Sequence, residues 1–467
     1  MSRMGVVGFL LRDIYGSLPD ERTMTEREYF GTSGIRGRVG ADVDADLALT
    51  VGRALASEAD RVVVGRDART SGSTLVDALS AGLTECGTDV VDVGVEATPT
   101  VARGIAERDA DAGVVVTASH NPPRDNGLKL WQPSGQAYDR SGQDRLVGRI
   151  RTGDFDRQSW DALGERSSWT DARTSHVEAI AGAVEVSDPP SVVVDLGNGA
   201  GGVSVEALQA IGCSIETLNA QPDGRFPGRP SEPTAENCST LAATVAATDA
   251  DLGIAHDGDA DRMMAVTGDG EFVPGDVLLA LFAREAIEQG DRVAVPVDTS
   301  LLVADALEDV GAEVVLTRVG DVFVAERARE GDVVFGGEPS GAWIFPEDTL
   351  CPDGPLAAAK LVELVADAGP LAAQVDSIDR YPIRRTTFEV SEKAAVMERV
   401  ATAVRADYDD VNTLDGVRVE LGDAWFLVRA SGTEPRIRVT AEARNPERAD
   451  AVFETASGLV EDHLRTD

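Results

Sequence analysis

The chain has 467 residues, 43% of them hydrophobic, and a formal net charge of −38 from 81 Asp and Glu against 43 Lys and Arg. That length exceeds one core and points to roughly two to four domains; the charge opposes nucleic acid or anionic membrane as partners; and no apolar run reaches the roughly 18 residues of a membrane span. Lys129, Lys360 and Lys393 are the only lysines, and so large a carboxylate excess resembles a surface adapted to concentrated salt, where a Debye length of about 3 Å at 1 M mutes self-repulsion.

The N-terminal run MGVVGFLL is interrupted by Arg12 and Asp13, with no small-residue cleavage site after it, which argues against a secretory signal. Residues 1–24 are expected to be a weakly ordered extension, with Met24 as an alternative start. A first α/β domain is expected over 25–155. There RVVVGRD (61–67), DVVDVG (89–94) and AGVVVTAS (112–119) predict buried strands. TLVDALSAGLTEC (74–86) and TVARGIAERD (100–109) predict helices between them, a parallel βαβαβ unit. The third strand ends in TASHNPP. Ser119 there is either a turn-forming serine or, if other loops bring a metal and cations, a carrier of phosphate. His120 reads as a loop hydrogen-bonder, and Lys129 stands shortly after. The polar stretch 156–176 reads as a connection.

A second domain, 156–268, opens on PPSVVVDLGNGAGG and closes on DLGIAHDGDADR. GNGAGG (197–202) has the form of a dinucleotide fingerprint but occurs once, and Glu216 is not clearly at a strand end. A tight strand–helix turn is the preferred reading, and an NAD-dependent oxidoreductase is the alternative. In DGDADR, Asp257, Asp259 and Asp261 alternate along an extended loop and so project one way. Three carboxylates together call for a cation, and all-oxygen donors select Mg²⁺ or Ca²⁺. An EF-hand is excluded, because its sixth position would be Arg262 and its twelfth Gly268.

A third α/β domain, 269–378, carries DRVAVPVD, AEVVLTRVGD and DVVFGGEPSG. Glu338 and Ser340 between its glycines suit either sugar hydroxyls or a plain turn. Residues 379–467 differ in pattern. VRVELGDAWFLVRASGTEPRIRVTAEA reads as strands joined by a GD hairpin and flanked by two helices, a smaller α+β domain. Arg429, Ser431, Gly432, Thr433, Arg436 and Arg438 surround a tight turn whose donors suit a phosphate. The cysteines, Cys86, Cys213, Cys238 and Cys351, are scattered without a pairing pattern, as in a reducing cytoplasm.

GTSGIRG, GRDARTSG, TASHNPP, DGDADR, GEPSG and RASGTEPRIRV follow one another in the order and approximate spacing of the α-D-phosphohexomutase family, which the chain resembles from about Phe30 onward. QPDGRFPGRPSEPTAEN and VDLGNGAGG look most like its archaeal, phosphoglucosamine mutase branch. The resemblance implies three related α/β domains with mixed sheets plus a C-terminal α+β domain around a central cleft. It implies interconversion of hexose 6-phosphate and hexose 1-phosphate (glucosamine, glucose or mannose) through a phosphoserine and a bisphosphorylated sugar. Ser119 would be the phosphoserine, facing Mg²⁺ held by Asp257, Asp259 and Asp261. Arg36 and Lys129 would stand near the transferring phosphoryl group and Arg262 at the phosphate. Glu338 and Ser340 would bind sugar hydroxyls, with Arg318 in the same cleft. Arg429, Ser431, Gly432, Thr433 and Arg438 would hold the phosphate that does not react. Mg²⁺ and a hexose 1,6-bisphosphate would be the cofactors, small sugar phosphates the partners, and the enzyme a cytoplasmic monomer or homodimer. Two departures stand out. Many bacterial members carry a histidine where this chain has Ala342, so Lys129, Arg36 or the phosphoryl group itself would have to handle protons; loss of turnover, leaving a sugar-phosphate-binding protein, is a further alternative. The usual Arg-Pro-Ser-Gly-Thr becomes Arg429-Ala430-Ser431, which loosens the loop. Lys129 is expected to shift its pKa enough to exchange protons, as an arginine rarely can.

Overall fold

Four sheets follow one another along the chain of the computed structural model, which describes residues 30–31, 34–308, 310–432 and 435–464. The extension 1–24, its Met24 start, and Thr433 lie outside the described residues. The first sheet has six strands, β1 (Ile35–Arg38), β2 (Arg61–Arg66), β3 (Asp89–Val95), β4 (Ala112–Val116), β5 (Asp125–Trp131) and β6 (Arg166–Ser168), in the order β1-β5-β4-β2-β3-β6. Strands β4, β2, β3 and β6 are parallel; β5 runs against both β4 and β1. Val62, Val63 and Val64 of β2 are fully buried, as a parallel strand covered on both faces requires. The helices between the strands are Ala45–Leu55, capped by the Asp44 carboxylate on Leu47 N–H, Gly72–Glu85 and Thr98–Glu107.

The second and third sheets share one plan. β7 (Ser191–Asp195), β8 (Ser214–Leu218), β9 (Leu252–His256) and β10 (Met263–Thr267) lie in the order β10-β9-β7-β8. β11 (Arg292–Pro296), β12 (Glu313–Thr317), β13 (Val333–Glu338) and β14 (Ala342–Ile344) lie in the order β12-β11-β13-β14. Each has two parallel pairings and one antiparallel hairpin, β9–β10 and β13–β14. The two hairpins meet where Arg262 bridges to Ala342. The two sheets also share a continuous apolar core, in which Phe282, Phe335, Trp343 and Phe345 pack with ring centroids 5.2 to 6.0 Å apart. The last sheet is wholly antiparallel. β15 (Ile383–Glu389), β16 (Val411–Asn412), β17 (Val417–Glu420), β18 (Ala424–Ala430) and β19 (Arg436–Ala443) lie in the order β15-β19-β18-β17-β16, with the helices Lys393–Asp407 and Pro446–Leu464 over a core of their own. Three mixed-sheet α/β domains and a C-terminal antiparallel α+β domain are the expected fold class.

The stretch 156–176 is more than a connection. It contributes β6 to the edge of the first sheet and the start of the helix Ala172–Gly182. A three-residue strand of exposed Arg and Ser carries no alternation, and the helix buries only Ala172, His176 and Ile180, too few to read as a stripe. Among the described residues no helix is long and apolar enough to cross a membrane.

A buried polar cluster ties the first three domains together. Thr100 Oγ1 lies 2.8 Å from His176 Nδ1, and His176 Nε2 lies 3.0 Å from Asp353 Oδ2, which also accepts from Arg103 Nε at 3.0 Å. The other oxygen of Asp353 caps the helix Gly354–Ala368 through Leu356 N–H. Asp353 is fully buried, and although burial opposes its charge, His176 and Arg103 hold its carboxyl well below the usual range. Asp353→Ala removes the shared acceptor and a helix cap, leaving His176, Arg103 and the Leu356 N–H without their partner. It is expected to cost about 3 kcal/mol and to shift the urea midpoint accordingly; an unchanged midpoint would mean the cluster does not hold the domains.

Candidate active site

Ser119 follows β4 and adopts φ of +51°, a left-handed conformation that a residue with a Cβ holds only when its surroundings enforce it. The enforcement comes from Arg69. Its buried guanidinium donates to the carbonyls of Ser119 (2.8 Å), Asn121 (2.6 Å), Pro122 (2.7 Å) and Asp125 (2.8 Å). It also pairs with Asp67 at 2.9 Å, and Asp67 accepts from Thr117 Oγ1, which in turn accepts from Ser119 N–H. One arginine thus shapes the whole turn. The Ser119 hydroxyl donates to Asp257 Oδ2 at 2.6 Å, so the serine of the first domain already meets the carboxylate loop of the second.

That loop joins β9 to β10, and its two ends are clamped by a neutral histidine. His256 Nδ1 lies 2.9 Å from the Arg262 carbonyl, which can only accept, so Nδ1 carries the proton and Nε2 accepts from Ser204 Oγ at 2.9 Å. Burial pushes His256 down to about 4. Arg229 adds a second clamp. It pairs with Asp195 at 2.7 Å and donates to the His256 carbonyl at 2.6 Å. Gly199 of GNGAGG lies so near that a Cβ there would sit 2.7 Å from the Gly258 carbonyl oxygen. A Cβ on Gly258 would sit 2.7 Å from the Ser119 carbonyl oxygen. The glycine loop therefore buttresses the carboxylate loop, whose backbone fills the space against it; this is the tight-turn role.

Asp257, Asp259 and Asp261 are all buried, with one oxygen of each within 4.8 Å of the others. Lys129 Nζ donates to Asp259 Oδ2 at 2.8 Å and also to Asp261 Oδ2. Burial and the neighbouring carboxylates raise Asp257 and Asp261, whereas Lys129 outweighs burial at Asp259 and lowers it. Asp259 Oδ1 and Asp261 Oδ1 are buried without a hydrogen-bond partner. Three carboxylates against one ammonium, two of them with an orphaned hard oxygen, form a donor set that fits a divalent metal. Burial opposes the charge on Lys129, but Asp259 and Asp261 outweigh it and raise its pKa. That direction is opposite to the one expected for proton exchange at Lys129. Beside Ser119, His120 Nδ1 lies 3.3 Å from Oγ; burial, then Arg262, Arg36 and Lys129, push this imidazole down to about 2. Arg36 of β1, opposite Gly127 of β5, has its buried Nε without a hydrogen-bond partner.

The third domain closes on the same loop. Arg262 bridges to Ala342, and Met263 N–H donates to the Gly341 carbonyl at 2.9 Å. The Arg262 guanidinium stands 3.9 Å from Glu232. Glu338 Oε1 accepts from Gly320 N–H at 2.6 Å and Oε2 from Ser340 Oγ at 3.2 Å. Burial, then Asp321, push Glu338 up to about 7. Arg318 donates to the Leu414 carbonyl at 3.2 Å, and Val319 N–H to Asp415 Oδ2 at 3.1 Å. Asp415 also pairs with Arg429 at 3.3 Å, so the TRVGD loop and the last domain meet around it. There Arg429 and Arg438 are direct cross-strand partners. Ser431 is buried, Gly432 is exposed, and Lys393 donates to both of their carbonyls.

Sequence reasoning missed Arg69, Arg229, His256 and Asp415. Arg69 sits in the quoted GRDARTSG, but its contacts reach 50 to 56 residues along the chain, where no spacing rule applies.

Four family models, domains I, II, III and IV of phosphoglucomutase/phosphomannomutase, match residues 27–157, 169–270, 274–381 and 386–457. This chain belongs to the phosphoglucomutase/phosphomannomutase family. It is 49% identical to a probable phosphoglucosamine mutase of Methanopyrus kandleri, over 90% of this chain and 95% of that protein. It is 47% identical to one of Methanosarcina acetivorans, over 93% and 99%. A crystal structure of a phosphoglucomutase/phosphomannomutase family protein from Burkholderia thailandensis superposes with a TM-score of 0.86 at 31% identity, over 94% of this chain and 98% of that one. As a phosphohexomutase, the chain is an intramolecular phosphotransferase acting on hexose phosphates, and the oxidoreductase alternative falls away.

Glu338 gives a pH test. Its folded pKa of about 7 lies above the ordinary 4.5, so the folded state binds more protons between those values. Its contribution is fully present below about 4.5 and is lost as pH rises through about 7. Glu338→Gln keeps the neutral form at every pH. Relative to the unsubstituted protein it is expected to gain stability from pH 5 to pH 8, by up to about 3 kcal/mol, read as a difference in urea midpoints. A pH-independent difference would contradict the raised pKa.

Proposed function

We infer that the chain interconverts glucosamine 6-phosphate and glucosamine 1-phosphate through a phosphoserine at Ser119 and a bisphosphorylated sugar. The observation that carries the reading is the Ser119 hydroxyl, on an enforced left-handed turn, 2.6 Å from Asp257 in a buried three-carboxylate loop. Glucosamine is favoured because relatives at 49% and 47% identity bear the name probable phosphoglucosamine mutase.

Asp257, Asp259 and Asp261, with an oxygen of the phosphorylated Ser119, would hold Mg²⁺. The ion's contribution when bound is to neutralise charge on the phosphoryl oxygens as the bond to Ser119 breaks. A sugar hydroxyl attacks phosphorus, an O–P bond forms, the Ser119 Oγ–P bond breaks, and the proton of the attacking hydroxyl passes by way of the phosphoryl oxygens to Ser119 Oγ, which is left as a hydroxyl. The bisphosphate then turns over and returns its other phosphate to Ser119, so that no water enters the exchange. Arg36, with its unpartnered buried Nε, and Lys129 stand as fixed cations beside the transferring group. Lys129 holds the carboxylates in place rather than carrying protons. Arg262 helps at the same phosphate.

Glu338 and Ser340 bind sugar hydroxyls, with Arg318 at the edge of the cleft. Arg429, Ser431, Gly432, Thr433 and Arg438 hold the phosphate that is not reacting, whichever carbon bears it, because arginines and backbone donors read the anion and not the ring. A hexose 1,6-bisphosphate would prime the serine. The net charge of −38 supports a protein that works in concentrated salt, and a cytoplasmic monomer or homodimer fits its free cysteines.

A coupled assay of glucosamine, glucose and mannose phosphates in molar KCl with Mg²⁺ tests the substrate. Glucosamine phosphate is expected to lead in kcat/KM by about tenfold or more. Ser119→Ala is expected to fall to background and to lose the roughly 80 Da phosphoryl adduct from the peptide that holds residue 119. Full turnover by that variant, or equal rates on all three sugars, would overturn the serine or the glucosamine assignment respectively.

A further inference from the structure

Thr98 opens the helix Thr98–Glu107 of the first domain and is fully buried. It grips the second domain's carboxylate loop twice. Its N–H donates to the Asp259 carbonyl at 2.8 Å, and its hydroxyl donates to Asp259 Oδ2 at 2.5 Å. Lys129 Nζ donates to that same oxygen at 2.8 Å. Oδ2 is thus held by two donors, while Oδ1 of the same carboxylate is buried with no partner. A carboxylate with one oxygen tethered on two sides cannot turn about its Cβ–Cγ bond, so the position of the other oxygen is set. The helix that carries Thr98 is itself fixed, because Thr100 and Arg103, on the same helix, belong to the buried cluster with His176 and Asp353.

We propose that Thr98 is a positioning residue for Asp259: it presents Oδ1 to the divalent cation and does so across the boundary between the first two domains. The proposal rests on the reading of Asp257, Asp259 and Asp261 as a cation site. Thr98 touches neither substrate nor the reacting atoms; it acts through a ligand, as outer partners of metal-binding carboxylates do, and their loss typically costs about 10- to 100-fold in metal affinity. The hydroxyl is the group in question, because the backbone N–H contact survives any side-chain replacement.

Mn²⁺ binding to the full chain, read from the free-ion EPR signal, separates this role from a structural one. Thr98→Val keeps the shape and removes the donor; it is expected to weaken Mn²⁺ by about 10- to 100-fold, and Thr98→Ser, which restores the hydroxyl, to bind like the unsubstituted chain. Thr100→Val, which disturbs the same helix without touching Asp259, is expected to lower Tm and leave Mn²⁺ affinity intact. If Thr98→Val does not fold, Thr98→Ala, which adds no new contact, takes its place in the titration. Unchanged affinity in the hydroxyl-free variant, or an equal loss in Thr100→Val, would overturn the proposal. Failure of the unsubstituted chain to bind Mn²⁺ would instead overturn the cation site on which it rests.

Discussion

Three buried carboxylates share a space less than 5 Å across with one ammonium. Like charges no more than 4.8 Å apart repel by about 3 kcal/mol or more even at an effective dielectric constant of about 20. Such a cluster cannot be assembled by one short loop acting alone. The surrounding architecture is the means of holding it. His256 and Arg229 clamp the loop's ends, Lys129 ties the outer oxygens of two aspartates, Thr98 takes one of them from the other side, and Ser119 takes the third aspartate.

The same constraint explains why the site lies between domains. Among the described residues no single sheet presents Ser119, the three aspartates, Glu338 and Arg429 with Arg438 on one edge. Each domain contributes a loop from a strand end, the place where a rigid sheet can aim a side chain while its backbone polar groups stay paired. The hairpins β9–β10 and β13–β14 are joined by the Arg262–Ala342 bridge, so the DGDADR loop and the GEPSG loop are held in fixed register. The last domain meets this assembly around Asp415 and Arg318. Arg69 completes the arrangement by fastening the strained Ser119 turn through four carbonyls, a task lysine's three donors could not match in number or in planar reach.

Much of this was legible in the residues. Val-rich runs of five to seven residues between amphipathic stretches placed β2, β3 and β4 with their helices, since burial on both faces leaves a continuous apolar signature. Alternation in DGDADR placed three carboxylates on one side of a loop, because an extended backbone repeats every two residues. The GD hairpin of the last domain followed from turn chemistry, whereas the cross-strand pairing of Arg429 with Arg438 did not. What escaped was non-local. β6 is too short and too polar to show a period; Arg69, Arg229 and His256 act through contacts with carbonyls, which leave no trace in side-chain spacing. The direction of the Lys129 shift escaped as well. An isolated buried amine loses its proton, but one between two buried carboxylates keeps it, and only the fold places Asp259 and Asp261 against it.

The most direct measurement of the central claim is anomalous scattering from crystals of the protein grown with Mn²⁺. The expected result is one peak bounded by the carboxylates of Asp257, Asp259 and Asp261 and next to Ser119 Oγ, with oxygen distances of about 2.1 Å. A fully occupied peak elsewhere with this loop empty would contradict it, and the convergence of the domain loops would then need another cause.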